Sequence, residues 1–118
     1  MSEINEAVAW RASTLEQFGL TRIEAKILSF LVEGKATGRD IERKMDLRQP
    51  EVSVGIKALQ ARGWVRGAEL VAKEGKGRKE KTYELALLFG KIVNEIANRV
   101  LHKQIEERKK LEELIKTT

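Results

Sequence analysis

Apolar residues recur at helical spacing along most of the chain, and the spacing changes to alternation in one short stretch. In EINEAVAWRASTLEQFG, Ile4, Val8, Leu15 and Phe18 fall near one face of a helix, and Gly19 is placed to stop it. TRIEAKILSFLVEG follows with a stronger stripe, Ile23, Ile27, Leu28, Leu31 and Val32. Its first residues, Thr21 and Glu24, have the spacing of a capping box, in which each side chain satisfies the other's backbone N–H. Gly34 can take the left-handed position at its end. TGRDIERKMDL predicts a third helix with Thr37 as N-cap, Asp40 in the first turn, and Ile41 and Met45 facing inward.

The chain's one proline opens the next periodic segment, DLRQPEVSVGIKALQARGWV. A proline at the first helical position costs nothing, because the N–H it lacks would have had no intrahelical partner. Residues 50–62 are therefore expected to form a fourth helix, ended by Gly63 and joined to the third by the tight turn DLRQ. Val52, Ile56 and Leu59 make its apolar side. Gln49, Ser53, Lys57 and Gln60 or Ala61 make a polar side, with Gly55 and Ala58 kept small between them.

Alternation then appears in WVRGAELVAKEG and KEKTYELAL, which predict two short strands. KEGKGRKEK at their junction holds five basic and two acidic residues, and a β-hairpin with a positive tip is expected. From Leu87 onward one long helix is expected. Ile92, Ile96, Val100, Leu111 and Leu114 keep roughly heptad spacing, interrupted by Gln104 and Glu107.

Composition narrows the function classes. At 118 residues the chain is expected to be one domain with a core of Leu, Ile, Val and Ala, since aromatics are only 5%. With no cysteine, one histidine (His102) and no nucleophile or metal-ligand pattern, neither an enzyme nor a cofactor is expected. The basic run lacks the G-x-x-x-x-G-K-[ST] spacing of a phosphate-cradling loop. The N-terminus lacks a signal peptide's basic head and apolar run, and no apolar stretch approaches a membrane span, so a cytoplasmic protein is expected. The net charge of +5 is unevenly distributed. Residues 1–34 carry three basic and five acidic side chains, residues 35–85 thirteen and eight, and residues 86–118 seven and five. The excess lies mid-chain, where a localised positive field suits a polyanion.

The element order, helix, short helix, tight turn, helix and basic hairpin, is that of a helix-turn-helix with a wing. LTRIEAKILSFLVEG, TGRDIERKMDLRQPEVSVGIKALQARGWV and the following hairpin resemble the winged-helix domains of the MarR, ArsR and TrmB groups of transcriptional regulators, particularly small archaeal versions. LQARGWV closes the recognition helix and opens the first wing strand as in those groups. The resemblance covers roughly residues 18–85. It implies a mainly α fold with a small β-hairpin (α+β), in which the winged helix-turn-helix spans 19–85. Residues 1–18 and 86–118 would supply dimerisation helices.

It further implies that residues 49–62 enter the major groove of double-stranded DNA while the hairpin reaches the adjacent minor groove or backbone. Gln49 can pair bidentately with adenine, Ser53 can bond to a base or a phosphate, and Lys57 can reach guanine or the backbone. Pro50 and Val54 offer apolar contact to a thymine methyl. Thr37 and Arg39 open a helix end whose N–H groups are expected to be free for phosphate, and Arg48 is a further phosphate or base contact. Lys73, Lys76, Arg78, Lys79 and Lys81 are the wing candidates. Glu51 either accepts from a cytosine amino group, repels phosphate, or favours its own helix N-terminus electrostatically, the last being preferred.

Duller roles are expected elsewhere. Trp10 and Trp64 suit a core or an interface, Tyr83 an inward strand position, and His102 a surface or an interface rather than a metal site. Glu106, Glu107, Glu112 and Glu113 are spaced for surface ion pairs with Arg108, Lys109 and Lys116. Because one helix-turn-helix covers few base pairs, a homodimer through helices 3–17 and 87–116 is expected. A transcriptional repressor is the leading reading. The alternative is a winged-helix adaptor subunit of a transcription or chromatin complex, whose exposed recognition face would be apolar rather than Gln49, Ser53 and Lys57. A small-molecule effector is compatible with the sequence and not indicated by it.

Overall fold

The computed structural model describes residues 6–72 and 79–118, with side chains described for 6–67 and 80–118. Among these described residues five helices and three strands follow in the order α1 Glu6–Gln17, α2 Arg22–Leu31, β1 Ala36–Thr37, α3 Gly38–Met45, α4 Gln49–Ala61, β2 Val65–Ala72, β3 Lys79–Leu85 and α5 Phe89–Lys116. They divide into two compact units, Met1–Leu88 and Phe89–Thr118.

Local chemistry sets the helix ends of the first unit. Thr21 Oγ1 accepts from the Glu24 N–H at 3.1 Å, and Glu24 Oε1 accepts from the Thr21 N–H at 3.0 Å. Thr37 and Asp40 make the same reciprocal pair at the start of α3. The end of α4 is a Schellman motif: the Gly63 N–H donates to Gln60 O and the Trp64 N–H to Leu59 O. Gly63 has φ +79°, where a side chain would be strained. Leu59 and Trp64, the apolar pair that accompanies such a motif, are both fully buried. LQARGWV thus ends a helix and aims the next strand in one step. Asp46, in the left-handed region at φ 54°, turns the chain out of α3, and Lys26 Nζ donates to Met45 O there at 3.0 Å.

The core of this unit is the stripe expected of α2 (Ile27, Leu28, Leu31) packed against Ile41 and Met45 of α3 and Val52, Ile56 and Leu59 of α4. Gly55 permits that approach: a Cβ there would meet Ile27 Cδ1 at 2.5 Å and Ile23 Cγ2 at 2.7 Å. Val8, Ala12 and Leu15 seat α1 on α2, and the Ser29 hydroxyl donates to Val8 O at 2.6 Å. Buried Glu24 has a second task, accepting from Arg62 Nε at 3.4 Å, while the Arg62 guanidinium stacks 4.9 Å from the Trp64 ring. One carboxylate therefore joins the start of α2 to the α4–β2 junction.

Three sequence expectations change or narrow. Phe18 lies beyond the end of α1 in the turn and is 51% exposed, so it does not continue the buried face; Ile4 lies outside the described residues. Trp10 is 69% exposed, so of the two places expected for it, core or interface, the core formed by the described residues is not the one it takes, whereas Trp64 is buried. The hairpin is part of a three-stranded antiparallel sheet in the order β1-β3-β2, because Ala36 and Thr37 pair with Tyr83 and Thr82. β2 pairs with β3 from Val65↔Leu85 to Ala72↔Lys79, and a bulge between Gly67 and Leu70 puts one extra residue on β2.

The second unit is α5, 28 residues long. Of its heptad positions Ile92 and Ile96 are buried and Val100 is half-buried, while Leu111 and Leu114 are exposed, as are Leu101, Ile105 and Ile115. Arg108–Glu112, Lys109–Glu106 and Lys116–Glu113 form the anticipated surface pairs. No helix among the described residues is long and apolar enough to cross a membrane.

Candidate nucleic-acid interface

The packing that buries one side of α4 turns the other outward. Gln49, Pro50, Val54, Lys57 and Gln60 are exposed and Ser53 is half-buried. The helix begins at Gln49, one residue earlier than expected, which keeps Pro50 in the first turn. Between α4 and β3 runs a cleft of about 240 Å³. Gln49, Val52, Ser53, Ile56, Lys57 and Gln60 form its α4 wall, and Gly38, Glu42, Lys81 and Tyr83 close it from α3 and β3. Its polar wall holds four groups able to donate hydrogen bonds, the Gln49 and Gln60 amides, the Ser53 hydroxyl and the Lys57 ammonium, and Lys81 faces them from the wing strand. Their side chains have no hydrogen-bond or ion-pair partner among the described residues.

Of the sequence candidates, Gln49, Ser53, Lys57 and Lys81 converge on this cleft. Pro50 and Val54 are exposed on α4, and Arg48 is exposed in the turn before it. Thr37 and Arg39 sit together at the start of α3, with two qualifications. The N–H groups of Thr37 and Asp40 are occupied by the reciprocal cap, so that end offers fewer free donors than expected. Arg39 Nε lies 4.0 Å from Glu80 Oε1, a loose, half-exposed pair that a phosphate could replace. Lys73, Lys76 and Arg78 lie outside the described residues, and Lys79 is described in β3 by its backbone alone.

Glu51 takes the helix-end role. Its Oε1 accepts from the Arg48 N–H at 2.9 Å, and its Oε2 lies 3.3 Å from an Arg22 guanidinium nitrogen. Such a carboxylate in the first turn complements the helix dipole. Two contributors to the cleft, Glu42 and Tyr83, were not among the sequence candidates. Glu42 reads as one more charge on a polar helix face, and only the crossing of α3 and α4 brings it to the cleft. Tyr83 was expected to pack inward. It is half-buried, and its Cε2 lies 4.0 Å from the point where a Cβ on Gly38 would stand.

Among known proteins, the fold is shared with a possible transcriptional regulator from Methanosarcina mazei Go1, at TM-score 0.59 and 13% identity over 92% of this chain and 86% of that one. It is likewise similar to the circadian clock associated protein Pex from Anabaena (TM-score 0.53, 20% identity, 73% of this chain and 79% of that one). The adhesin competence repressor from Streptococcus pyogenes is similar at TM-score 0.51 and 21% identity, over 90% of this chain and 73% of that one. At these identities the likeness is one of fold. No curated protein matches the chain. Residues 18–78, which run from the end of α1 into the wing and make up more than half of the sequence, match the MarR family. With a buried tri-helical core, a three-stranded wing sheet and that match, the chain belongs to the MarR family of winged-helix transcription regulators.

Proposed function

We propose that the protein is a sequence-specific reader of double-stranded DNA that represses transcription by occupying its site. In this reading α4 lies in the major groove, where a helix fits and the base edges are distinguishable. Gln49 and Ser53 contact bases, Lys57 and Arg48 reach bases or phosphates, and Pro50 and Val54 meet thymine methyls. Thr37 and Arg39 hold the backbone beside the groove, and the basic wing, Lys73 to Lys81, follows the strand onward. The observation that carries the reading is the outward polar side of α4 beside Lys81. An adaptor would present an apolar surface there, and Val54 is the large apolar side chain exposed on that side.

The working unit in this proposal is a homodimer through the terminal helices, which gives two half-site readers. Exposed apolar residues support it: Trp10 on α1, and Leu101, Ile105, Leu111, Leu114 and Ile115 on α5. So many large apolar groups on two helices exceed what isolated surface positions need. Selection from random duplex DNA at two salt concentrations tests the proposal. Enrichment of a two-fold-related motif, with affinity falling as salt rises, is expected. Binding without enrichment would make the protein a nonspecific coater, and no binding in dilute buffer would end the regulator account. A monomeric mass at micromolar concentration would remove the dimer.

A further inference from the structure

Gly67 stands in β2 directly opposite Tyr83 of β3. Its backbone does not require glycine, since its φ lies outside the left-handed region occupied by Gly19, Gly34 and Gly63. What the position supplies is space. A Cβ built there would lie 2.5 Å from Lys81 Cε, 3.1 Å from Lys81 Nζ and 3.8 Å from Lys81 Cδ. The lysine stem therefore crosses β2 in the slot that a side chain at 67 would fill. The ammonium ends 5.8 Å from the centroid of the Tyr83 ring, within reach of a cation–π attraction. No carboxylate among the described residues is paired with it.

Geometry gives this placement a use. The major and minor grooves of a duplex are separated by one sugar-phosphate strand. A helix in the first groove and a wing at the second must straddle that strand, and the cleft between α4 and β3 is where it would cross. Lys57 and Lys81 line opposite walls of the cleft, with Glu42 as the one carboxylate lining it among the described residues. We infer that Gly67 is a positioning residue: by leaving its slot empty it lays Lys81 across the wing and holds the ammonium where the strand between the grooves passes. This rests on the reading of α4 as the groove-entering helix.

The clash at 67 involves the far end of a flexible side chain, so Gly67→Ala should displace the lysine and leave the fold intact. Fluorescence anisotropy against the duplex enriched by selection, titrated from 0.1 to 1 M salt, is the test for wild type, Gly67→Ala, Lys81→Gln and the double variant. One lost phosphate contact lowers the log–log salt slope by about 0.9, which is roughly eightfold in affinity at 0.1 M and little at 1 M. Gly67→Ala and Lys81→Gln should each show that loss with an unchanged melting temperature, and the double variant should be no weaker than Lys81→Gln alone. A purely structural glycine would move the melting temperature and not the slope. Should Gly67→Ala prove unstable, Gly67→Ala/Lys81→Ala, which empties the slot, must regain the wild-type melting temperature. A double variant as unstable as the single overturns the slot. Wild-type slope in Gly67→Ala, or additive losses in the double variant, overturns the inference alone. Failure of the wild type to bind any duplex overturns the function it rests on as well.

Discussion

The two sides of α4 share one backbone and one set of caps, yet they are held to different standards. On the inner side, Val52, Gly55, Ile56 and Leu59 are buried against α2 and its neighbours, and at Gly55 an added Cβ would force the side chains of Ile23 and Ile27 to shift. On the outer side, Gln49, Ser53, Val54, Lys57 and Gln60 vary in size and polarity and face a cleft or open solvent. The inner side answers to packing, where each methylene counts. The outer side is free of that constraint, so its chemistry reports on a partner. Substitutions should therefore separate cleanly: inner changes alter stability, outer changes alter binding.

The largest break in that comparison should come from Leu59→Ala. It empties a fully buried position in the Schellman pair with Trp64 and should cost about 2–5 kcal/mol in denaturant unfolding. Lys57→Ala, two residues away on the exposed side, should stay within about 0.5 kcal/mol of wild type in the same experiment. A stable Leu59→Ala would dissolve the distinction between the sides.

Gly55→Ala sharpens the inner side. Alanine is the better helix former by roughly 1 kcal/mol, so an open position would be stabilised. The two isoleucine methyls at 2.5 and 2.7 Å oppose that gain, and overpacking of about 1–3 kcal/mol should prevail. Raised stability on thermal melting would mean that α2 and α4 can move apart easily.

Thr37→Ala is the smallest of the three. Losing the acceptor for the Asp40 N–H should cost about 1 kcal/mol, and Thr37→Ser should restore it. Because the threonine hydroxyl still has its proton to donate, the alanine variant should also bind duplex less tightly while the serine variant does not. Equal binding by all three would leave Thr37 as a cap only.

The same division explains what could be read from the chain. Features fixed by residues close in sequence were legible: the Thr21–Glu24 and Thr37–Asp40 caps, Pro50 in the first turn of α4, Gly63 at its end, and the apolar stripes of α2 and α4. Features that depend on distant partners were not. β1 is two residues long, too short for any periodicity, and exists because Tyr83 and Thr82 lie alongside it. Glu24 read as a cap, but its pairing with Arg62 is made across 38 residues. Phe18 fitted the apolar period of α1, yet the turn at Gly19 carried it outside. In the candidate interface, the α4 residues were legible because one helix face presents them together. Glu42, and the slot at Gly67 that seats Lys81, depend on how α3 and the wing meet that face.

Sequence preference of the outer side is the most direct test of the whole account. It is measured as the ratio of affinities for an enriched duplex and a scrambled one, in wild type and in Gln49→Ala/Ser53→Ala. With roughly 1–3 kcal/mol held in each good base contact, the ratio should fall at least tenfold in the double variant while its melting temperature holds. A ratio that survives both substitutions would contradict the assignment of this face as the reader.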